Sequence, residues 1–129
     1  MSEQEHPLEA LHRARDAVAA AVSRQARTPQ PSLHELYALG SAIVGTLAQL
    51  GNLSSVLVYQ VGRFDEHELE RATTSDDPAD KLRIAGTHLA RLSDELATAV
   101  GDANRYLTAM ESVDLHTSSD IQTRPEPDL

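Results

Sequence analysis

The sequence predicts an all-α fold: a long antiparallel helical hairpin with a shorter N-terminal helix packed on it as a three-helix bundle. Three observations carry that expectation. Apolar residues recur at alternating three- and four-residue steps through two long segments, which is the spacing of a helical face and not of a strand. A proline-rich breaker and an acidic stretch divide the chain into three such segments. The length, 129 residues, suits a single domain.

The elements follow in chain order. Residues 1–7 are polar and are expected to be disordered. Pro7 then suits a first helical turn, with Glu9 near the positive end of the helix dipole. An Ala-rich run from Leu8 to about Arg27 places Leu8, Leu11, Ala14, Val18, Ala21 and Val22 on one face. Arg24 and Arg27 fall in its last turn, where the dipole favours cations. Thr28-Pro29-Gln30-Pro31 breaks the helix, because two prolines remove donors and push their predecessors to extended geometry.

Ser32-Leu33-His34-Glu35 reads as a capping box. A second helix is expected over 33–62, with a heptad-like seam of Leu33, Leu36, Gly40, Ile43, Leu47, Leu50, Ser54, Leu57, Val61 and Phe64. Tyr37, Leu39, Val44, Leu53, Val56 and Val58 fall off that seam, so the helix is apolar over more than half its circumference and calls for more than one neighbour. Residues 63–77 are expected as an acidic loop, in which Glu66–Arg71 can form an extra helical turn. From 63 to 80 there are seven acids and two arginines, a net charge of −5.

Asp77 is expected to cap, and Pro78 to open, a third helix over 78–113. Its seam reads Leu82, Ala85, Leu89, Leu92, Leu96, Ala99, Ala103, Tyr106, Met110 and Val113. The tail, 114–129, is expected to be acidic and disordered. Helical rise makes the three helices about 30, 45 and 54 Å long. The helical domain thus spans 8–113.

Composition narrows the chemistry. Eleven basic residues face twenty acidic ones, for a net charge of −9, and there is no Cys and no Trp. A disulfide framework, a Cys-based zinc site and a thiol nucleophile are therefore excluded. Four aromatic residues (Tyr37, Tyr59, Phe64, Tyr106) and an acidic balance argue against a basic, base-stacking face. Lys81 is the lone lysine, and the Ala- and Arg-rich usage hints at a high-GC bacterial genome. Met1–Pro7 carries no apolar core of a secretory signal, so a cytoplasmic location is expected.

Leu36 to Gly62 is a run of 27 uncharged residues, long enough to cross a bilayer. Gln49, Asn52, Gln60, Ser41, Ser54 and Ser55 dilute it. Its best window averages about 1.3, short of the roughly 1.6 usual for a span, and no basic cluster or Trp flanks it. A buried bundle helix is the expectation, and no membrane partner.

The motifs that could carry catalysis are incomplete. Glu9-x-x-His12 has the di-iron spacing, but the second helix offers only Glu35 to complete such a site. His34-Glu35 and His67-Glu68 have Ala38 and Arg71 where a zinc protease needs its second His. Gly40 and Gly45 share P-loop spacing without the Lys. No catalytic residue, metal or cofactor is assigned. Residues 46–63 can be laid on a helix-turn-helix with Asn52 in the turn, presenting Ser54, Ser55, Tyr59, Gln60 and Arg63 to a groove. A single nearby cation and an unbroken seam weigh against it, and nucleic acid is not expected as a partner.

The small acidic hairpin resembles the WXG-type secretion partners in architecture. Trp-x-Gly is missing at the turn, where Val61-Gly62-Arg63-Phe64 stands, and Tyr106 is followed four later by Met110 in place of an acid. That family is not assigned. Leu36-Tyr37, the uncharged helix, Asp76-Asp77-Pro78 and the Ala-rich last helix are similar to small helical proteins of actinobacteria, over about residues 32–113. This likeness implies no activity.

The expected function is a non-catalytic helical interaction module. It would self-associate as a homo-oligomer, or bind another helical protein, through Tyr37, Val44, Leu53, Val56 and Val58 flanked by Gly45 and Gly51. The alternatives are a helix-turn-helix regulator and a small enzyme or ligand-binding bundle.

Overall fold

The computed structural model describes residues 5–64, 66–72 and 76–123. It is all-α, with α1 at Pro7–Ala26, α2 at Leu33–Val61, α3 at Glu66–Ala72 and α4 at Pro78–Thr123. The chain divides into two compact units, Met1–Ser32 and Leu33–Leu129.

The first unit is α1. His6 caps it unconventionally, its Nδ1 accepting from the Leu8 N–H at 3.1 Å, and Pro7 occupies the first turn. Its last carbonyls are also satisfied: Arg27 Nε donates to Ser23 O and Thr28 Oγ1 to Arg24 O. Leu8, Leu11, Val18 and Val22 form its apolar stripe, and all four are exposed.

The second unit is the hairpin. α2 and α4 pack antiparallel along their lengths, and α3 packs on α4. Asp77 starts α4 from a left-handed backbone, φ 49°, while its carboxylate accepts from the Asp80 N–H at 3.3 Å. The acidic connection expected as loop thus contains the short helix α3. α4 also continues past the expected end at Val113. No Pro or Gly interrupts 114–123, and the next breaker is Pro125, which disfavours helix at the residue before it.

The seam between α2 and α4 differs from the expected one by a partial turn. Buried and half-buried positions repeat through α2 as Tyr37, Gly40, Val44, Leu47, Gly51, Ser54, Val58 and Val61. In α4 they repeat as Leu82, Gly86, Leu89, Ser93, Leu96, Val100, Ala103, Leu107 and Met110. Alternate positions of each expected seam are retained: Gly40, Leu47, Ser54 and Val61 in α2, and Leu82, Leu89, Leu96, Ala103 and Met110 in α4. Leu36, Ile43, Leu50 and Leu57 give way to the residues one place later, as do Ala85, Leu92, Ala99 and Tyr106. The physical reason is close approach: Gly40, Gly51, Ser54, Gly86, Ser93 and Ala103 let the two backbones come together, and large side chains at those places would hold them apart. A Cβ built on Gly40 would lie 2.7 Å from Cδ1 of Tyr106 and 3.2 Å from Leu107 Cδ2.

Polar groups in the seam are satisfied locally. Ser54 is 6% exposed and donates to Leu50 O within its own helix. No buried side-chain polar atom lacks a partner among the described residues. No large hydrophobic side chain is fully buried among them either. The hairpin is a two-layer ladder without an enclosed core.

Candidate functional site

The seven residues singled out from sequence do not form one patch. Tyr37, Val44, Gly51 and Val58 belong to the seam with α4. Tyr37 donates its hydroxyl to Glu111 at 2.8 Å, and a Cβ on Gly51 would sit 3.8 Å from Leu96. Val58 lines a groove with Gly86 and Ala90. Gly45 is exposed, with open space around it. Leu53 is half-buried and Val56 is exposed. A self-interface built on the first four would compete with α4 for the same face.

The open apolar surface of α2 lies one column round. Leu36, Leu39, Ile43, Leu50, Leu53 and Leu57 form a second stripe, interrupted by Thr46, in which Leu39, Ile43 and Leu57 are exposed and Leu36, Leu50 and Leu53 half-buried; Phe64 lies beyond the end of α2. Ile43 and Phe64 are each 53% exposed. On α4 the matching column is Ala85, Leu92, Ala99, Tyr106 and Val113. In an antiparallel pair these columns fall on the same side. The Tyr106 hydroxyl shows it, donating to Leu36 O at 2.9 Å.

The opposite side of the hairpin is small and polar. Ser55 and Ser93 share a hydrogen bond at 3.0 Å, and Ala48, Asn52 and Ala97 line the same shallow groove. The hairpin is therefore two-sided, with large aliphatic residues on one side and hydroxyls and alanines on the other. Sequence spacing missed this because every third or fourth residue of α2 is apolar on either choice of seam. The usable signal was side-chain size, since the glycines and serines mark the crowded seam and the leucines mark the open flank.

No protein-family model, no curated protein and no solved structure matches the chain. The site must therefore be read from its chemistry alone.

A groove of about 530 Å³ lies where the end of α2, α3 and the start of α4 meet. Val58, Val61, Leu69 and Leu82 line it, and among the described residues its charged lining residue is Arg83, whose Nη2 donates to Asp80 at 2.6 Å. Among the described residues no three His, Asp or Glu side chains cluster as a metal site.

Residues 46–61 form an unbroken part of α2, with no turn at Asn52. Ser54 is buried and Ser55 is tied to Ser93, so neither is placed as a recognition helix requires. α2 is long and apolar enough to cross a membrane by length and composition.

One perturbed group marks the far end of the hairpin. The Glu111 carboxylate accepting from Tyr37 holds that phenol above its ordinary value, with smaller contributions from desolvation and from the charge of Glu111.

Proposed function

We propose that this chain is a non-catalytic, cytoplasmic helical interaction module that self-associates through the leucine-rich side of the α2–α4 hairpin. The observation that carries the reading is the coincidence of two exposed apolar columns, one from each helix, on a single side. A helix with one neighbour needs one seam, and a second seam calls for a second neighbour. The opposite side carries Tyr59, 64% exposed with Arg63 over its ring, but no column of large aliphatic residues.

The magnitudes are adequate. Completing the burial of a half-exposed Leu, Ile or Phe contributes about 1 kcal/mol. Leu39, Ile43, Leu57, Phe64, Leu92, Tyr106 and Val113 are each between 37% and 53% exposed. Counted on both copies, they contribute on the order of 10–15 kcal/mol, comparable to the roughly 4–15 kcal/mol that association costs.

The test is light-scattering mass after size exclusion across a range of concentrations, with circular dichroism on the same samples. Wild type is expected to be oligomeric. Ile43→Glu and Leu57→Glu are expected to give a helical monomer. Val44→Glu and Val58→Glu lie in the α4 seam and are expected to lose helicity instead. A wild-type monomer at every concentration, or an Ile43→Glu variant that stays oligomeric, would overturn the proposal.

A further inference from the structure

We infer that the occupant of the leucine-rich side is a second copy laid antiparallel, with α2 against α2 at the centre and the Leu92–Tyr106 column of each α4 bordering it. This rests on the self-association proposed above and adds its geometry. Three observations fix it.

The first is which helix takes the new neighbour. On α2 the stripe has two columns, with exposed Ile43 and Leu57 and half-buried Leu36 and Leu50 in one, and exposed Leu39 and half-buried Leu53 in the next. Its centre lies about 100° round from the α4-facing seam, one residue's rotation on the helix. That is close to the right angle between two neighbours in a four-helix bundle. On α4 the corresponding outer column holds His88, Glu95 and Asp102, all exposed. A helix with that column suits a peripheral place, where carboxylates stay in water.

The second is direction. Residues 63–80 carry a net charge of −5 at the turn end of each hairpin. Parallel pairing would set two such segments side by side. Antiparallel pairing separates them by the length of α2, about 40 Å, several times the roughly 8 Å screening length at physiological salt. The remaining surface between Leu36 and Gly62 of α2 is uncharged, so reversing the partner introduces no like-charge clash along the stripe.

The third is area. From Leu36 to Val61, α2 is about 38 Å long, and two side-by-side helices are about 20 Å wide. The product, roughly 800 Å² per partner, is what a standard stable interface buries. Centring the stripe on itself sets Leu50 opposite its own copy and Ile43 opposite Leu57 of the other chain.

The chain lacks cysteine, so introduced thiols report without background. Leu50→Cys, Ile43→Cys and Leu57→Cys are made singly, checked by light scattering in reductant for wild-type mass, then oxidised in air. A disulfide needs Cα atoms within about 7 Å. Leu50→Cys is expected to cross-link to itself. Ile43→Cys and Leu57→Cys are expected to cross-link in an exchanged mixture and not alone. Leu36→Cys with Phe64→Cys repeats the logic if either of that pair fails to associate. Self-cross-linking of Ile43→Cys and of Leu57→Cys, without the mixed product, means parallel pairing: it overturns this inference and leaves self-association standing. An oligomer that cross-links at none of these positions uses another face and overturns both. A monomer in light scattering overturns both as well.

Discussion

Gly40 and Gly45 stand five residues apart on the same helix, and alanine at the two should shift stability in opposite directions. At either site alanine gains about 1 kcal/mol of helix propensity over glycine. At Gly45 nothing lies within 4 Å of the new Cβ, so the gain is kept. At Gly40 the Cβ would fall 2.7 Å from Cδ1 of Tyr106, and the ring has to move. Tyr106 is 41% exposed and its hydroxyl holds Leu36 O. Displacing it uncovers roughly 100 Å² of ring, worth about 2.5 kcal/mol, and breaks a hydrogen bond worth about 1 kcal/mol. Set against the propensity gain, Gly40→Ala should lose about 2.5 kcal/mol, or roughly 10 °C in Tm. Gly45→Ala should gain about 0.5–1 kcal/mol, or about 3–5 °C in Tm. The assay is thermal and urea unfolding followed at 222 nm, with both variants compared at one protein concentration. A Gly40→Ala protein as stable as wild type would refute the seating of Tyr106 on Gly40, and with it the placement of the two apolar columns on one side.

Two further predictions concern the ends of the hairpin. Asp77→Ala should lose about 1–2 kcal/mol by removing the cap on Asp80 N–H and leaving a Cβ residue at positive φ, whereas Asp77→Gly should come within a few tenths of wild type in urea unfolding. At the other end, the raised phenol of Tyr37 means that the folded chain holds this proton more tightly than the unfolded chain. The stabilisation is present in full below the ordinary tyrosine value and is lost as pH rises through the folded one. Ultraviolet titration should show one tyrosine ionising late, and Glu111→Gln should bring it back toward the ordinary value; an unchanged curve in that variant would exclude Glu111 as the cause.

The parts of the fold that sequence exposed are those set by chain chemistry alone. Pro7, the Pro29–Pro31 breaker and Asp77-Pro78 each impose a backbone restriction, and the helices begin or end beside them. The far end of α4 lacked such a marker: Thr117, Ser118 and Ser119 weaken a helix without stopping it, and the chain stays helical until shortly before Pro125. α3 was legible as the extra helical turn expected at Glu66–Arg71, though its seven residues are too few to display a period. The seam was the hardest to read, because in α2 an apolar residue is available at both Leu36 and Tyr37, at both Ile43 and Val44, and at both Leu57 and Val58. Periodicity cannot choose between adjacent columns of equal hydrophobicity. The choice is made across the pair, where Gly40 accepts the Tyr106 ring and Gly51 accepts Leu96. The surface residues of the candidate site follow from that choice and could not be assigned before it.

The seam also gives folding a direction. Near the turn it joins residues close in sequence, such as Val61 with Gly86, whose Cβ position lies 3.5 Å from Val61 Cγ1. At the open end it joins Tyr37 with Glu111, 74 residues apart. Closing the threefold longer loop first would cost about 1 kcal/mol more in chain entropy, so pairing starts beside the turn and zips outward. Opening runs in reverse. Amide exchange should be slowest where α2 meets Gly86 and should quicken toward Tyr37, which makes the end that carries the Tyr37–Glu111 bond the last to close and the first to fray.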